Sequence, residues 1–308
     1  MHKQLLCSGG SIFGMVFLAG LAACASNPAT KDVGPPDTTT PPADADCTAS
    51  STSSNYVLID DMETTTHGPI QFDTGIVPPL APGYWYNSGA SYLGDAGGDM
   101  STPPQGSFVF SALPTPTTTL NCKASAHAAH QSCVLNGLYD TCGVGLELAQ
   151  QPTGDPVVPA GDAGIPMTTI PFDISRYKAI TFWGMTTTPD PTTSKMQVKV
   201  QFPDTDTDPR GEVCNGGGGN TSKCYNSYAA YLDFTTSWQQ FTVLLDAGNG
   251  GPPPTGGIAI DTTWGYQQAQ WIPTQVYGIN WQAQRNLSPD AGPPLTTDIW
   301  IDDVYFVE

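Results

Sequence analysis

Asp302 and Asp303 stand side by side in the apolar run Thr297-Asp298-Ile299-Trp300-Ile301-Asp302-Asp303-Val304-Tyr305-Phe306-Val307. Charge in such a run is costly unless a cation, hydrogen-bond donors or water meets it. A second acidic group, Asp60-Asp61-Met62-Glu63, closes the run Tyr56-Val57-Leu58-Ile59. If the two runs pair as strands, three or four carboxylates meet, and hard oxygen ligands of that kind suit Ca²⁺. Strand alternation offers a plainer arrangement in which one aspartate of each pair turns to solvent.

Amides and aromatic rings are the other candidates. In Met196-Gln197-Val198-Lys199-Val200-Gln201-Phe202 the apolar residues alternate with Gln197, Lys199 and Gln201, which face outward. In Val276-Tyr277-Gly278-Ile279-Asn280-Trp281-Gln282-Ala283-Gln284 one face carries Asn280, Gln282 and Gln284. Amides offer both donors and acceptors, so such a row suits the hydroxyls of a sugar, or is simply a solvated sheet face. Tyr84-Trp85-Tyr86 lies between Pro and Gly residues in a predicted loop, where exposed Trp85 and Tyr86 would stack on a pyranose. Trp264, Tyr266 and Trp271 form a second group, and either group could instead plug an end of a sandwich. Trp183, beside Phe182, reads as core.

Other constellations are weaker. His127, His130 and Cys133 are spaced by threes, but the spacing matches no standard zinc finger, and cysteines of an exported chain favour one another. Asp204-Thr205-Asp206-Thr207-Asp208 begins like an EF-hand loop, yet Pro209 stands where glycine is needed and Asn215 where a bidentate Glu is needed, so it reads as a turn. No Gly-x-Ser-x-Gly elbow occurs. The acidic pairs sit on terminal strands and fit metal or solvent better than catalysis.

The elements that must carry these groups are strands. Short alternating or β-branched runs recur at 56–60, 107–111, 122–130, 144–149, 179–185, 196–202, 228–234, 239–245, 276–283 and 299–306. No long amphipathic helical pattern occurs, and 33 Gly and 29 Pro disfavour long helices. The prediction is an all-β antiparallel sandwich with long loops, including 84–105 and 150–170.

The N-terminal Met1-His2-Lys3 and the apolar stretch 11–23 have the form of a signal peptide. Leu21-Ala22-Ala23-Cys24 resembles the lipobox of bacterial lipoproteins, which implies a lipid on Cys24 as the mature N-terminus and a membrane anchor. Residues 25–54 are rich in Ser, Thr, Pro, Ala and Asp and lack the apolar residues needed to fold. They read as a disordered tether reaching on the order of 30 Å. Residues 55–308 then form one domain. With 10 basic and 28 acidic residues the chain has a formal net charge of −18, which repels nucleic acid. Six of the eight cysteines lie beyond the signal and lipid site: Cys47, Cys122, Cys133, Cys142, Cys214 and Cys224. Cys214 and Cys224 are predicted to pair across Asn215-Gly216-Gly217-Gly218-Gly219-Asn220, and the other pairings stay open.

Leu58-Ile59-Asp60-Asp61-Met62-Glu63, Tyr177-Lys178-Ala179-Ile180-Thr181-Phe182-Trp183-Gly184, Trp238-Gln239-Gln240-Phe241-Thr242-Val243 and Ile299-Trp300-Ile301-Asp302-Asp303-Val304-Tyr305-Phe306 occur in that order. This order resembles the galactose-binding-domain-like jelly rolls, especially carbohydrate-binding modules of the family 11 type and the related complex I intermediate-associated domain. The resemblance spans residues 56–307. It implies a jelly-roll β-sandwich, a structural Ca²⁺ between Glu63 and Asp302 with Asp61 and Asp303 nearby, and a glycan cleft on one sheet. The expected function is non-catalytic binding of a polysaccharide by a lipoprotein of the bacterial outer membrane or cell surface. The alternatives are a structural or protein-interaction lipoprotein of the same fold and a glycan hydrolase.

Overall fold

The computed structural model describes residues 55–63, 81–90, 108–113, 119–120, 123–135, 141–152, 167–191, 193–215, 223–248, 253–284 and 295–308. The predicted signal segment, the predicted lipidation site Cys24, the predicted tether, Cys47 and Cys122 lie outside them.

In chain order the strands are β1 (Tyr56–Asp60), β2 (Ala81–Pro82), β3 (Trp85–Ala90), β4 (Ser111–Ala112), β5 (Thr119–Leu120) and β6 (Lys123–Ala124). There follow β7 (His127–Leu135), β8 (Thr141–Glu147), β9 (Ala149–Pro152), β10 (Met167–Ile170) and β11 (Ala179–Thr186). The last are β12 (Met196–Phe202), β13 (Tyr228–Phe234), β14 (Gln239–Leu244), β15 (Gly278–Gln284) and β16 (Leu295–Val307). A 3-10 turn spans Pro209–Gly211. Every pairing between these strands is antiparallel.

Two sheets make an antiparallel jelly-roll sandwich. One has the order β14-β11-β16-β7-β4 with β1 also on β16, and the other has the order β13-β12-β15-β8-β3. β16 organises the first. Its N-terminal half pairs with β7 and its C-terminal half with β1, while β11 lies along its other side. Period-two alternation turns Ile180, Phe182, Ile299, Ile301, Val304 and Phe306 inward from this sheet, against Val144, Leu146, Val198, Val200, Phe202, Ile279 and Trp281 of the other. Trp281 is fully buried at the centre, stacked on Trp85 at 5.6 Å and edge-on to Phe182 at 5.4 Å.

Two disulfides secure the described part. Cys214–Cys224 closes the expected loop, and Cys133–Cys142 ties β7 of one sheet to β8 of the other. The latter pairing removes Cys133 from any zinc set.

Three local expectations change. The predicted loop 84–105 begins with a strand, since β3 pairs along its whole length with β8 despite the strand-poor Asn87-Ser88-Gly89. The run predicted at 122–130 is displaced to β7, whose pairing with β16 carries it on to Leu135. Trp183 is only partly buried, because Phe182 takes the inward position and its neighbour must face the other way.

Candidate functional site

The outer face of the five-stranded sheet gathers most of the predicted polar residues. Lys199 of β12 lies between Tyr231 of β13 and Gln282 of β15, and Gln282 lies opposite Gly143 of β8. One row along, Gln201 lies between Ala229 and Asn280, and Asn280 lies opposite Gly145, which in turn faces Tyr86 of β3. Gln197 is opposite Asp233, and Gln284 is opposite Thr141. The alternation that buries Val198, Val200 and Trp281 therefore brings the amides of two strands together.

These side chains bond to each other in part. Gln201 Nε2 donates to Gln282 Oε1 at 2.9 Å, and the Tyr86 hydroxyl donates to Asn280 Oδ1. The Asn280 and Gln282 amide nitrogens and Gln201 Oε1 are left to bond elsewhere. Gly145 is required here: a Cβ would fall 2.2 Å from the Tyr86 ring and 2.4 Å from Asn280 Oδ1. The bare glycine lets Tyr86 lie across the floor to reach Asn280. Burial and the nearby Glu147 push the Tyr86 phenol far up, so it remains a donor.

Rings flank the amides on both sides. Tyr84 is 39% exposed, with its centroid 6.1 Å from that of Tyr86. On the far edge Tyr231 and Trp264 are 51% and 43% exposed, and Lys199 Nζ sits 5.9 Å from the Trp264 ring centroid. Trp264 is held by its main chain, whose carbonyl accepts from Asn226 Nδ2 at 2.7 Å. Trp271 and Tyr266 instead pack against the core. A surface cavity of about 370 Å³ adjoins the face at Gln197, lined also by Asp190, Thr193, Lys195, Met196, Asp233 and Leu295, but it does not include the amide rows.

Trp85 does not belong to this face. It points inward, stacked on Trp281 and Phe108, and donates its indole N–H to buried Asp60 at 2.9 Å. Consecutive residues of β3 face opposite ways, so of the predicted pair only Tyr86 reaches the surface. Lys199 does point outward, but at 4% exposed it lies beneath its neighbours rather than in solvent.

One end of the face is closed by ions. Arg210 donates to Glu147 at 3.1 Å and to Asp208 at 2.8 Å, and its guanidinium covers the Tyr277 ring at 4.3 Å. Asp208 caps the 3-10 turn by accepting from Arg210 N–H at 2.9 Å. The segment 204–208 is the turn expected of it, with Asp204 accepting from Thr207 and from Ile272. Burial raises the Glu147 carboxyl from 4.5 to about 7, against the pull of Arg210. A raised carboxyl keeps its proton in the folded state after the unfolded chain has lost it, so this group makes stability fall as pH rises from about 4.5 to about 7. Glu147→Gln should remove that component. Its thermal midpoint minus that of the wild type should grow across this interval, and a constant difference would contradict the assignment.

The acidic strands meet where β1 and β16 pair. Glu63 Oε1 accepts from Ser125 Oγ at 2.8 Å and from the N–H groups of Ala126 and His127 at 2.8 and 3.3 Å. Asp302 Oδ2 lies 2.6 Å from the same Ser125 hydroxyl, and Asp302 Oδ1 accepts from Asp303 N–H at 2.8 Å. Asp303 sits at a β-bulge with φ of 48° and is buried, whereas Asp61 is half-buried and accepts from Glu63 N–H at 3.4 Å. A hydroxyl has one proton and here faces two carboxyl groups, so the second contact is met either by a proton held on one carboxyl or by a cation. Burial, then Asp303 and Glu63, raise Asp302 to about 8. Among the described residues no three or more His, Cys, Asp or Glu converge into a metal cluster. A cation here would take Glu63 and Asp302 together with main-chain or water oxygens, which is ordinary coordination for Ca²⁺.

Ser125, Tyr231 and Arg210 were not singled out in the sequence. Tyr231 was findable from the alternation of 228–234. Ser125, within Ala124-Ser125-Ala126, has no local signal because its partners lie on distant strands. No protein-family model matches the chain, and no curated protein matches it. Among solved structures the chain is similar to a family 11 carbohydrate-binding module from Clostridium thermocellum in complex with a β-1,3-1,4-mixed-linked tetrasaccharide, at 10% identity over 83% of this chain and 96% of that one, with a TM-score of 0.41. It is also similar to the family 11 module of a cellulosomal cellulase of the same organism, at 10% identity over 83% and 95%, with a TM-score of 0.39. An exo-β-agarase matches at 9% identity over 80% of this chain and 25% of its own, with a TM-score of 0.36.

Proposed function

We propose that this chain is a lipid-anchored protein of the bacterial envelope whose sandwich binds a polysaccharide on the outer face of the five-stranded sheet, without catalysis. The observation that carries the reading is the pair of amide rows on a glycine floor between exposed rings. Asn280, Gln282 and Gln201 supply donors and acceptors for sugar hydroxyls, while Tyr84, Tyr86, Tyr231 and Trp264 supply apolar faces for the rings. Binding rather than hydrolysis is favoured because Glu147, the buried carboxylate at this face, is engaged with Arg210. The anchor at Cys24 rests on the sequence alone.

The proposal includes a structural Ca²⁺ held by Glu63 and Asp302, with Asp61 and Asp303 adding negative charge, and the hydroxyl shared by two carboxylates supports it. The ion would supply charge neutralisation and no chemistry on the glycan.

Affinity electrophoresis tests the binding function. The full chain should be retarded in gels containing its polysaccharide, Asn280→Ala should weaken that retardation by about tenfold or more, and the amount of polymer should not fall on incubation. Unretarded migration across a broad panel of glycans would remove the reading.

A further inference from the structure

We infer that the glycan bound on this face carries an anionic group, a uronate carboxylate or a sulfate ester, which meets the Lys199 ammonium. The inference rests on the reading of the face as a glycan site and adds the charge of the ligand.

Lys199 comes from the middle of β12 and is 4% exposed. The other cations around the face have carboxylate partners: Lys195 with Asp233 at 3.0 Å, and Arg210 with Asp208 and Glu147. Lys199 has no salt bridge or hydrogen bond to any described residue. Asp261 exerts some pull on it, but Asp261 Oδ1 is occupied by the Thr263 N–H at 2.7 Å and the Thr263 hydroxyl at 2.6 Å. The groups facing Lys199 are Tyr231 on β13, Gln282 on β15, and Asp261 and Trp264 from the segment before β15, with Gln197 and Gln201 flanking it on its own strand.

A buried ammonium without a counter-ion is costly, and a single aromatic face offsets that cost only in part. An anion arriving with the ligand would complete the pairing. Burial lowers the lysine from 10.5 to about 8, which leaves it mainly charged at neutral pH. The amide rows beside it point to a sugar polymer rather than a free anion, because they place donors and acceptors next to a single positive point. The partly exposed Trp264 ring stands 5.9 Å from Nζ, so an anion that pairs with the ammonium comes up against the indole, whose fluorescence reports the event.

Calorimetric titration of the full chain with polygalacturonate, a sulfated galactan and an uncharged mixed-linkage glucan tests the inference. At neutral pH one acidic polymer should bind at least about tenfold tighter than the glucan. That advantage should shrink between pH about 7 and about 9, and binding should change the indole fluorescence in the wild type but not in Trp264→Phe. Lys199→Met and Lys199→Gln, each checked for native near-ultraviolet circular dichroism, should both reduce the acidic polymer to the level of the glucan. A glucan bound at least as tightly as both acidic polymers, or an unchanged ratio in both variants, would overturn the inference while leaving the glycan site standing. Absence of binding to all three, extended to the broad panel, would overturn both. Which acidic polymer binds distinguishes carboxylate from sulfate.

Discussion

Trp281→Ala is expected to destabilise the domain by about 3–5 kcal/mol, read as a lower midpoint in chemical denaturation at unchanged slope. Trp281 is fully buried between the sheets, in contact with Trp85 from β3 and Phe182 from β11, so its loss empties the junction of three strands. Its indole N–H has no hydrogen-bond partner among the described residues, so the loss is almost wholly one of packing and apolar burial. Trp264→Ala, at a half-open surface position, is the contrast and should fall within about 0.5 kcal/mol of the wild type. A cost below about 1 kcal/mol at Trp281 would mean that the two sheets do not close on each other as described.

Removal of calcium is expected to have the next largest effect. If the ion is present at about a hundred times its dissociation constant, its loss costs the folded state about 2.7 kcal/mol, so excess chelator should lower the thermal midpoint by several degrees and added calcium should restore it. The physical reason lies at Ser125, where Glu63 and Asp302 approach one hydroxyl and Asp303 adds a further negative neighbour. Glu63→Gln and Asp302→Asn each replace a carboxyl that can coordinate as a carboxylate by a neutral amide of nearly the same shape. Both should make the midpoint insensitive to chelator. If chelator leaves the wild-type midpoint unmoved, the two carboxylates are joined by hydrogen bonds alone and the calcium proposal fails.

The strands that alternate cleanly were legible in the sequence. Met196 to Phe202 forms β12 with the predicted bounds, and Asn280 and Gln282 lie on one side of β15 as expected. Period-two patterning reports which way a side chain points, and that much is local. What lies over a side chain is not local. Lys199 reads as a solvated lysine in its own strand, and only the fold brings Trp264 and Asp261 to it. Trp85 and Tyr86 read as a pair of exposed rings because Gly83 and Asn87-Ser88-Gly89 look like a loop. Pairing with β8 overrides those propensities and splits the pair between core and surface. The meeting of Glu63 with Asp302 was implied by the resemblance, whereas Ser125 between them comes from the two-residue link between β6 and β7, which has no distinguishing pattern.

The two ends of the folded domain lie side by side. Tyr56 pairs with Val307, and the Glu308 N–H donates to the Asn55 carbonyl at 2.8 Å. In effect the sandwich is a nicked ring. A short turn joining residue 308 to residue 55 would close it without disturbing any ladder, which makes the fold suited to circular permutation with new ends cut in an exposed loop. The nick also lies in the six-stranded sheet, whereas the amide rows belong to the other. A passenger fused at residue 308 would therefore emerge beside residue 55, leaving the polar face unobstructed.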